Sequence, residues 1–369
     1  MKCVVVHYSE IGTKGGNRRF FERRLADNIR NNVGGTVTRI NGRILVKDPK
    51  HPEKLKHISG IYSYSPAEEI ESNLAEMKKA ALAIAKASKA KTFRLSASRS
   101  DKSFAYTSMR VNELVGGDVW KKTKKKVKLK NPELEIFIEI VGGKAYVYSE
   151  KILCIGGMPV GTAGRLVCLM SGGIDSPVAA YRMMTRGCKV IFVHFHNHDP
   201  FVKKITDLVK ILSQYQGRSK LYLVPFKDIQ QQIIKKTDPR YRMIIYRRVM
   251  MQIAEEIMHK EHALGLITGD SVAQVASQTL ENINSIYDAV KTPIFSPLIG
   301  THKQEIIETA KGIGTYETSI KPYTDCCSVL VAKHPATKST VDEVRAMDKK
   351  LRIKTLIKKT MKETEIVKI

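Results

Sequence analysis

The pattern of apolar and polar positions changes once along the chain, close to residue 160. Before that point, short apolar runs are joined by Asn41-Gly42 and Gly142-Gly143, which are typical β-hairpin turns. The pattern predicts strands at 2–8, 37–40, 43–46, 92–97, 134–141 and 144–150, and helices at 18–31, 68–88 and 108–120. Helices packed on a small antiparallel sheet follow from this order, which is an α+β arrangement.

A glycine-dense linker, residues 156–164, separates this part from a second pattern. Here near-continuous apolar runs alternate with amphipathic stretches. They predict strands at 165–170, 189–195, 220–225 and 263–268, helices at 177–186, 202–216, 229–236 and 246–260, and a lysine-rich helical end from about residue 340. Apolar strands that alternate with helices indicate a parallel sheet covered on both faces, and therefore an α/β domain.

The string Ser171-Gly172-Gly173-Ile174-Asp175-Ser176 follows an apolar strand and precedes a helix. Asp175 or Ser176 suits the N-cap, and Pro177 suits the first turn. Backbone amides at such a helix start form an anion site, which glycines let an anion approach closely. The loop is not a Walker A motif, because the Gly-Lys-Ser/Thr ending is absent. Asp175 is suited to hold Mg²⁺ beside a phosphate.

The charge of the chain indicates that the protein binds a polyanion in addition to a small anionic ligand. Lys and Arg number 63 against 36 Asp and Glu, a net charge of +27. Thermophile proteins are also lysine-rich, but there glutamate rises with lysine. Seven lysines occupy the ten residues 121–130 and would repel one another without a partner such as a phosphate backbone. The predicted RNA contacts are Lys14, Arg18, Arg19, Lys121, Lys122, Lys124, Lys125 and Lys126.

The six cysteines have neither zinc-site nor disulfide-framework spacing. Cys168 and Cys188 lie in apolar strings and are interpreted as small core residues. Cys326 and Cys327 follow a polar stretch that is predicted to be exposed.

No apolar run approaches the ~20 residues of a membrane span, and the N-terminus has no signal-peptide pattern. A cytoplasmic protein without a membrane partner is therefore expected.

Strings along the whole chain resemble the tRNA 4-thiouridine synthetase family. They include 8–15 near the N-terminus, 170–179 around the loop, 193–196, 247–251 and 268–282. The loop itself is similar to the pyrophosphate loop of ATP pyrophosphatases. The resemblance implies a ferredoxin-like domain at 1–55, a THUMP RNA-binding domain at 56–160 and a Rossmann-like, parallel-sheet PP-loop ATP pyrophosphatase domain at 161–369.

The resemblance also implies which residues bind the nucleotide. They are Leu169, Met170, Ser171, Gly172, Gly173, Asp175, Ser176, His194, Phe195, Arg247, Gly269 and Gln278. Most fall at strand ends or helix starts, where ligands bind in open α/β sheets. His194 taken alone is more typical of a core histidine. Asp175 and Lys303 are predicted to be catalytic, and Lys303 and Arg247 are the candidates to neutralise the transferring phosphate.

By the same resemblance, ATP activates O4 of uridine 8 in tRNA by adenylation, and a persulfide on Cys327 replaces the oxygen with sulfur. Some members of the family carry a C-terminal rhodanese domain, and this sequence is interpreted as resembling the form without it. The sulfur donor therefore stays open between a cysteine desulfurase persulfide and sulfide. An iron–sulfur cluster on Cys188, Cys326 and Cys327 also stays open, as do a thiamine role and a homodimer, and no metal-ligand set is assigned.

Two rival functions compete with this hypothesis. An amide-forming ligase on the same loop would act on a small molecule, and the tract at 121–130 argues against it. A non-catalytic RNA-binding protein would not need the complete loop string, which argues against that alternative.

Overall fold

The computed structural model describes residues 2–197, 202–322, 332–351 and 353–369. The chain forms two compact units, Met1–Pro159 and Val160–Ile369. Among the described residues, no helix combines the length and the apolar content needed to cross a membrane.

The first unit is built around one nine-stranded sheet. Its strands are β1 (Lys2–His7), β2 (Thr36–Ile40), β3 (Arg43–Lys47), β4 (Ser63–Glu71), β5 (Thr92–Arg99), β6 (Lys126–Val127), β7 (Leu134–Val141), β8 (Lys144–Tyr148) and β9 (Ile152–Leu153). Its α-helices are α1 (Arg18–Val33), α2 (Leu74–Ala87) and α3 (Ser108–Thr123). The strand order is β2-β3-β1-β4-β8-β7-β5-β6, with β9 paired to β4. The sheet therefore runs without a break across the boundary predicted at 55/56.

The helix predicted at 68–88 is wrong at its start. Residues 68–71 complete β4, where they pair antiparallel with residues 144–147 of β8. Helix α2 begins only at Leu74, and the side chain of Asn73 caps it by accepting a hydrogen bond from the backbone N–H of Glu76 at 2.9 Å. Pairing with β8 thus overrides the helix preference of the glutamates at 68–71.

All three helices of this unit pack on the same face of the sheet. Leu25 and Ile29 of α1 join Val4 and Val6 of β1 in one buried cluster. Residues of α2 and α3 join a second cluster with the inward side chains of β5, β7 and β8. The register places these strand positions on one face, because side chains alternate along a strand.

The other face of the sheet carries a buried polar cluster around Glu139. Its carboxylate contacts His7 Nε2 at 2.5 Å and Arg43 Nε at 2.7 Å, and it accepts a hydrogen bond from the Tyr148 hydroxyl. β3 and β7 are separated by three strands, which in a flat sheet would put them roughly 19 Å apart. The contact between Arg43 and Glu139 therefore shows that the sheet curls and that this face is concave.

We expect Glu139 to make the stability of this unit depend on pH. Burial alone would raise the pKa of Glu139, but His7 and Arg43 lower it from 4.5 to about 2. A depressed pKa contributes stability above pH 4.5 that is lost as the pH falls towards 2, and this shift corresponds to about 3 kcal/mol. Urea unfolding of the wild type and of Glu139→Gln should therefore show a large difference at pH 7 that shrinks below pH 4.

Glu71→Gln is the matched control, because Glu71 pairs with Lys144 at the exposed surface of the same sheet. It should change stability little at either pH. An equal effect of the two substitutions would contradict the role of the buried cluster.

The second unit contains an open six-stranded sheet with helices around it. Its strands are β10 (Arg165–Leu169), β11 (Lys189–His196), β12 (Lys220–Pro225), β13 (Leu266–Ile267), β14 (Ile294–Phe295) and β15 (Glu365–Lys368). Its helices are α4 (Asp175–Thr185), α5 (Val202–Gln216), α6 (Lys227–Lys236), α7 (Arg242–Lys260), α8 (Leu280–Tyr287), α9 (Lys303–Gly312), α10 (Tyr316–Ser319), α11 (Val341–Lys350) and α12 (Ile353–Glu363). The order β14-β13-β10-β11-β12-β15 is parallel except for β15, which confirms the α/β prediction.

The end of the chain differs from the prediction of a purely helical segment. After α12 it forms β15, which pairs antiparallel with β12. Four residues with two charged ends give too weak an alternation to predict a strand, and the edge of β12 supplies the pairing. Helix α11 is held by Asp348, which accepts hydrogen bonds from the buried Arg248 of α7 at 2.7 and 2.9 Å.

Candidate functional site

The loop after β10 folds back on itself through its two serines. The Ser176 hydroxyl accepts a hydrogen bond from the Ser171 backbone N–H at 3.0 Å and lies 3.1 Å from the Ser171 hydroxyl. Helix α4 starts at Asp175, and its N-cap residue, Ile174, makes no side-chain cap. The prediction that Asp175 or Ser176 is the N-cap is therefore wrong, since Ser176 closes the loop instead. A helix start without a side-chain cap behind a tight loop is suited to bind an anion.

A cleft of about 310 Å³ opens beside this loop, at the carboxyl ends of β10, β11 and β13. β10 is the switch point of the sheet, because β11 and β12 lie on one side of it and β13 and β14 on the other. Ligands of open α/β sheets bind at such points. The structure brings ten of the twelve residues predicted to bind the nucleotide to this cleft: Leu169, Met170, Ser171, Asp175, Ser176, His194, Phe195, Arg247, Gly269 and Gln278. Gly172 and Gly173 belong to the loop but do not line the cleft.

Asp270 is the centre of a buried hydrogen-bond network in the cleft wall. Both of its oxygens lie 2.6 Å from Nη2 of Arg247, and it also accepts hydrogen bonds from Gln278 at 3.0 Å and from the Tyr287 hydroxyl at 2.9 Å. Burial would raise the pKa of Asp270, but Arg247 reverses that effect and holds it below its ordinary value. The charge of Arg247 is therefore balanced by a carboxylate, and its position is fixed.

Asp175 is held between two partners at the mouth of the cleft. Its Oδ1 lies 2.5 Å from Nζ of Lys303, the first residue of α9, and its Oδ2 accepts a hydrogen bond from Gln274 at 2.9 Å. The Lys303 side chain is 43% exposed, so it can exchange this carboxylate for a phosphate at little desolvation cost. The two residues predicted to be catalytic, Asp175 and Lys303, thus form an ion pair with each other.

Gly269 allows the segment after β13 to pack on the start of α4. A Cβ at this position would lie 2.8 Å from the backbone nitrogen of Ser176 and 3.0 Å from the carbonyl carbon of Asp175. Both are backbone atoms and cannot turn away. Any side chain at Gly269 would therefore displace the first turn of α4.

His194 is buried at the end of β11, where its Nδ1 lies 2.9 Å from the carbonyl oxygen of Met170. A carbonyl only accepts, so Nδ1 donates and carries a proton. This bond fixes the ring against the end of β10 while the side chain lines the cleft. The sequence allows His194 to be either a core histidine or a ligand-binding residue. The structure combines the two, because the buried side chain also lines the cleft.

The described residues contain no cluster of three or more metal-binding side chains. Mg²⁺ bound to a nucleotide takes one or two carboxylates together with phosphates and water rather than a protein cage. Asp175 is the carboxylate in the loop that would hold it, at the cleft where phosphates are expected.

The described cysteines, Cys3, Cys154, Cys168 and Cys188, are all free thiols. Burial raises the pKa of Cys168 and of Cys188, as expected for core residues. Cys188 precedes β11, roughly 20 Å along that strand from His194. It is therefore not placed to ligate a cluster at the cleft. Cys326 and Cys327 lie outside the described residues.

The lysines of the tract at 121–130 do not all face the same surroundings. Lys125 is turned inward, where its Nζ donates hydrogen bonds to the carbonyl oxygens of Ser88 and Ala90. Lys122 pairs with Asp118, and Lys124 lies 5.9 Å from the ring centre of Trp120. Trp120 is itself 49% exposed.

The predicted contacts near the N-terminus also differ among themselves. Arg18 donates hydrogen bonds to Glu22 and to the Tyr8 hydroxyl, both at 2.8 Å. Lys14 lies 5.5 Å from the ring centre of Phe21, and Arg19 is exposed. Arg18 therefore has a structural role in addition to its predicted one.

Sequence reasoning did not single out Asp270, Gln274 or the apolar wall formed by Met243, Met250 and Met251. A signal for Asp270 exists, since it lies three residues after the end of β13, at the edge of the sheet where ligands bind. Gln274 is recognisable only from its contact with Asp175.

Comparisons with known proteins agree along the chain. Residues 161–353 match the family profile described as thiamine biosynthesis protein (ThiI). Residues 71–150 match the THUMP domain and residues 3–65 the ThiI ferredoxin-like domain.

Related proteins match nearly the full length. The chain is 44% identical over 362 residues to the probable tRNA sulfurtransferase of Thermoanaerobacter pseudethanolicus, with 94% of this chain and 95% of that protein covered. It is 40% identical over 378 residues to the probable tRNA sulfurtransferase of Clostridium kluyveri, with 99% of each covered. Among solved structures, a 4-thiouridine synthetase–RNA complex with bound ATP matches with a TM-score of 0.91 and 34% identity, over 100% of both chains.

Proposed function

This chain belongs to the ThiI family of tRNA sulfurtransferases, and from that premise we propose that it adenylates uridine 8 of tRNA with ATP and replaces O4 with sulfur. One observation carries the proposal: ten residues predicted to bind the nucleotide meet in one cleft at the switch point of the sheet. The matching 4-thiouridine synthetase has ATP bound, which supports ATP as the ligand of this cleft.

The geometry supports one orientation of the nucleotide. The start of α4 and the loop at 171–176 suit the β and γ phosphates, since anions bind at helix N-termini. The α-phosphate would then lie near Asp175 and Lys303. Met250, Met251 and Phe195 form an apolar wall suited to the adenine ring.

The chain contributes orientation and charge to the first step. O4 of the uracil attacks the α-phosphorus, the bond from that phosphorus to the bridging oxygen breaks, and pyrophosphate leaves. Lys303 would turn from Asp175 to the phosphate, where a cation stabilises the charge of the transition state. Mg²⁺ held by Asp175 and the phosphates would withdraw further charge from the phosphate oxygens. Arg247, balanced by Asp270, would orient rather than neutralise.

In the second step a sulfur nucleophile attacks C4, the bond from C4 to O4 breaks, and AMP leaves carrying the original oxygen. A persulfide on Cys327 is the proposed nucleophile, because a thiolate can carry sulfur. Its outer sulfur bonds to C4, and a second thiol then attacks the Cys327 sulfur, which releases the thiolated base and leaves a disulfide. An external thiol reductant would reduce that disulfide and regenerate Cys327. A cysteine desulfurase persulfide would load Cys327 by transferring its outer sulfur to the thiolate and leaving as a thiol. Sulfide, the other candidate donor, would attack C4 directly and would not pass through Cys327.

Incubation of the protein with unmodified tRNA, ATP and sulfide, followed by mass spectrometry of the nucleosides, tests the proposal. We expect 4-thiouridine at position 8 together with AMP and pyrophosphate. An ATP analogue that cannot be cleaved between the α and β phosphates should block the reaction, whereas one blocked between β and γ should support it. The opposite pattern would indicate phosphorylation of the base and contradict adenylation.

The exposed lysines of the tract are proposed to hold tRNA through its phosphates. Replacing Lys121, Lys122, Lys124 and Lys126 by Ala, while keeping the inward Lys125, should weaken tRNA binding. The log–log slope of affinity against salt should flatten by roughly 0.7–0.9 for each phosphate that the protein no longer neutralises. Fluorescence anisotropy of labelled tRNA at several salt concentrations would measure both the affinity and its salt slope. The affinity for ATP should not change.

A variant with the same loss of charge controls for net charge alone. Lys349, Lys350, Lys354 and Lys358 are exposed lysines of α11 and α12 and can be replaced together by Ala. If both variants flatten the slope equally, the tract has no special part in RNA binding.

A further inference from the structure

A second, smaller pocket of about 220 Å³ adjoins the nucleotide cleft. We call it the side pocket. It shares Met243, Val275 and Ser277 with the cleft, so the two cavities have a common wall. Whatever occupies the side pocket therefore lies beside the ligand of the cleft.

The chemistry of the side pocket is that of a site for a flat apolar ring. Ile244, Ala276, Pro335 and Ala336 form its remaining apolar walls. No carboxylate lines it among the described residues. At the shared wall, Val275 is 52% exposed, an apolar surface that an occupant would cover.

Three hydrogen bonds to backbone carbonyl oxygens hold the walls of the side pocket. The side-chain amide of Asn282, a fully buried residue, donates to the carbonyl oxygens of Ala276 at 2.7 Å and of Ala336 at 2.9 Å. The backbone N–H of Ala336 donates to the carbonyl oxygen of Arg240 at 3.0 Å. The spacing between the walls is thus set before any ligand binds.

One cation stands at the rim of this apolar cavity. Arg240 lines the side pocket, its side chain is 64% exposed, and it is held by Asp238 through hydrogen bonds of 2.9 to 3.3 Å. An exposed guanidinium beside an apolar ring site suits the phosphate of a nucleotide whose base is inserted.

We propose that the side pocket binds the uracil that is to be modified, turned out of the tRNA stack. The inference rests on the proposed adenylation, which requires the O4 atom of the base to reach the α-phosphate in the cleft. Val275 of the shared wall directly follows Gln274, whose side chain donates a hydrogen bond to Asp175 at 2.9 Å, where the α-phosphate is proposed to lie. Enzymes that act on a base extrude it into a pocket, where apolar side chains replace the lost stacking. The side pocket is contiguous with the nucleotide cleft and apolar, and it is open to a polyanion at its rim.

The reaction product supplies its own probe. 4-Thiouracil crosslinks under near-ultraviolet light to side chains in direct contact with it. tRNA carrying 4-thiouridine at position 8 should, after irradiation with the protein and AMP, be attached to a peptide containing residues 240–244, 275–277 or 335–336. Attachment elsewhere, or none while the tRNA is bound, would overturn the proposal. The assay needs no turnover, so it gives a result even if the proposed sulfur transfer fails.

Filling the side pocket gives a second test. Ala336→Phe and Ala276→Phe place a ring in the cavity from two different walls, and each should lower the crosslink yield roughly tenfold or more, as when one stacked base loses its site. ATP affinity should stay within twofold (about the error of calorimetry), because neither residue lines the cleft. Ala346→Phe, on the exposed surface of α11, is the control and should crosslink like the wild type. Normal crosslinking by both filled variants, with unchanged melting temperatures, would refute the assignment.

Discussion

Asp175→Ala is expected to reduce tRNA thiolation by roughly 10²–10³-fold or more, the range seen when a preorganised charge is removed from a transition state. The substitution removes the carboxylate that would hold Mg·ATP and releases Lys303, which lies 2.5 Å from it. Binding of tRNA should stay near the wild-type level, since the exposed lysines are unchanged. Thiolation rates from nucleoside mass spectrometry and tRNA affinity from anisotropy would measure the two effects.

Two further variants separate charge from shape at this position. Asp175→Asn can still accept a hydrogen bond from Gln274 but loses the charge, so it should fail nearly as badly as Asp175→Ala. Asp228→Ala removes an exposed carboxylate paired with Lys359 and should behave like the wild type. Lys303→Ala combined with Asp175→Ala should cost less than the sum of the single losses, because the two side chains act as one unit. Near wild-type thiolation by Asp175→Asn would rule out the charge-based role.

Cys327→Ser should separate the two chemical steps. A serine hydroxyl cannot be deprotonated at neutral pH and cannot hold persulfide sulfur, whereas a thiolate can. Adenylation does not involve a thiol, so tRNA-dependent release of pyrophosphate should survive. With a persulfide donor as the sole sulfur source, 4-thiouridine should be absent. Parallel pyrophosphate and nucleoside assays on the same reaction would record both results.

Cys326→Ser is the natural control, one residue away, and should be milder. If the two cysteines ligate a cluster, both substitutions should fail together and the wild-type protein should be brown. Full thiolation by Cys327→Ser with the persulfide donor would disprove the persulfide role. Activity with free sulfide would not, because sulfide can attack the adenylated base directly.

Sequence patterns predicted the α/β unit well because its strands are apolar throughout and its loop string is rare. The strands at 165–170 and 220–225 were found almost to the residue. The loop motif led to the cleft because parallel strands bring their carboxyl ends to one edge, so motifs at 171–176 and 268–270 had to meet.

The errors arose where tertiary contacts overrule local preference. Residues 68–71 look helical and become part of β4, because β8 offers them a ladder of hydrogen bonds. Ser176 looks like an N-cap and instead closes the loop with Ser171. The RNA contact of Lys125 stays a prediction, but its Nζ already donates to two carbonyl oxygens of its own unit. A lysine's partner depends on distant backbone, which no spacing rule in one sequence reports.

The continuous sheet of the first unit limits which segments of the gene can be exchanged by recombination. The two family regions, 3–65 and 71–150, divide the sheet within β4, which pairs with β1 on one side and β8 on the other. A genetic exchange that transplanted residues 71–150 alone would leave most of this strand behind and expose the edge of β8 to pairing with other chains. We therefore expect residues 2–159 to be exchanged between related genes as one unit. A chimaeric protein should be joined after Pro159 rather than between the two family regions.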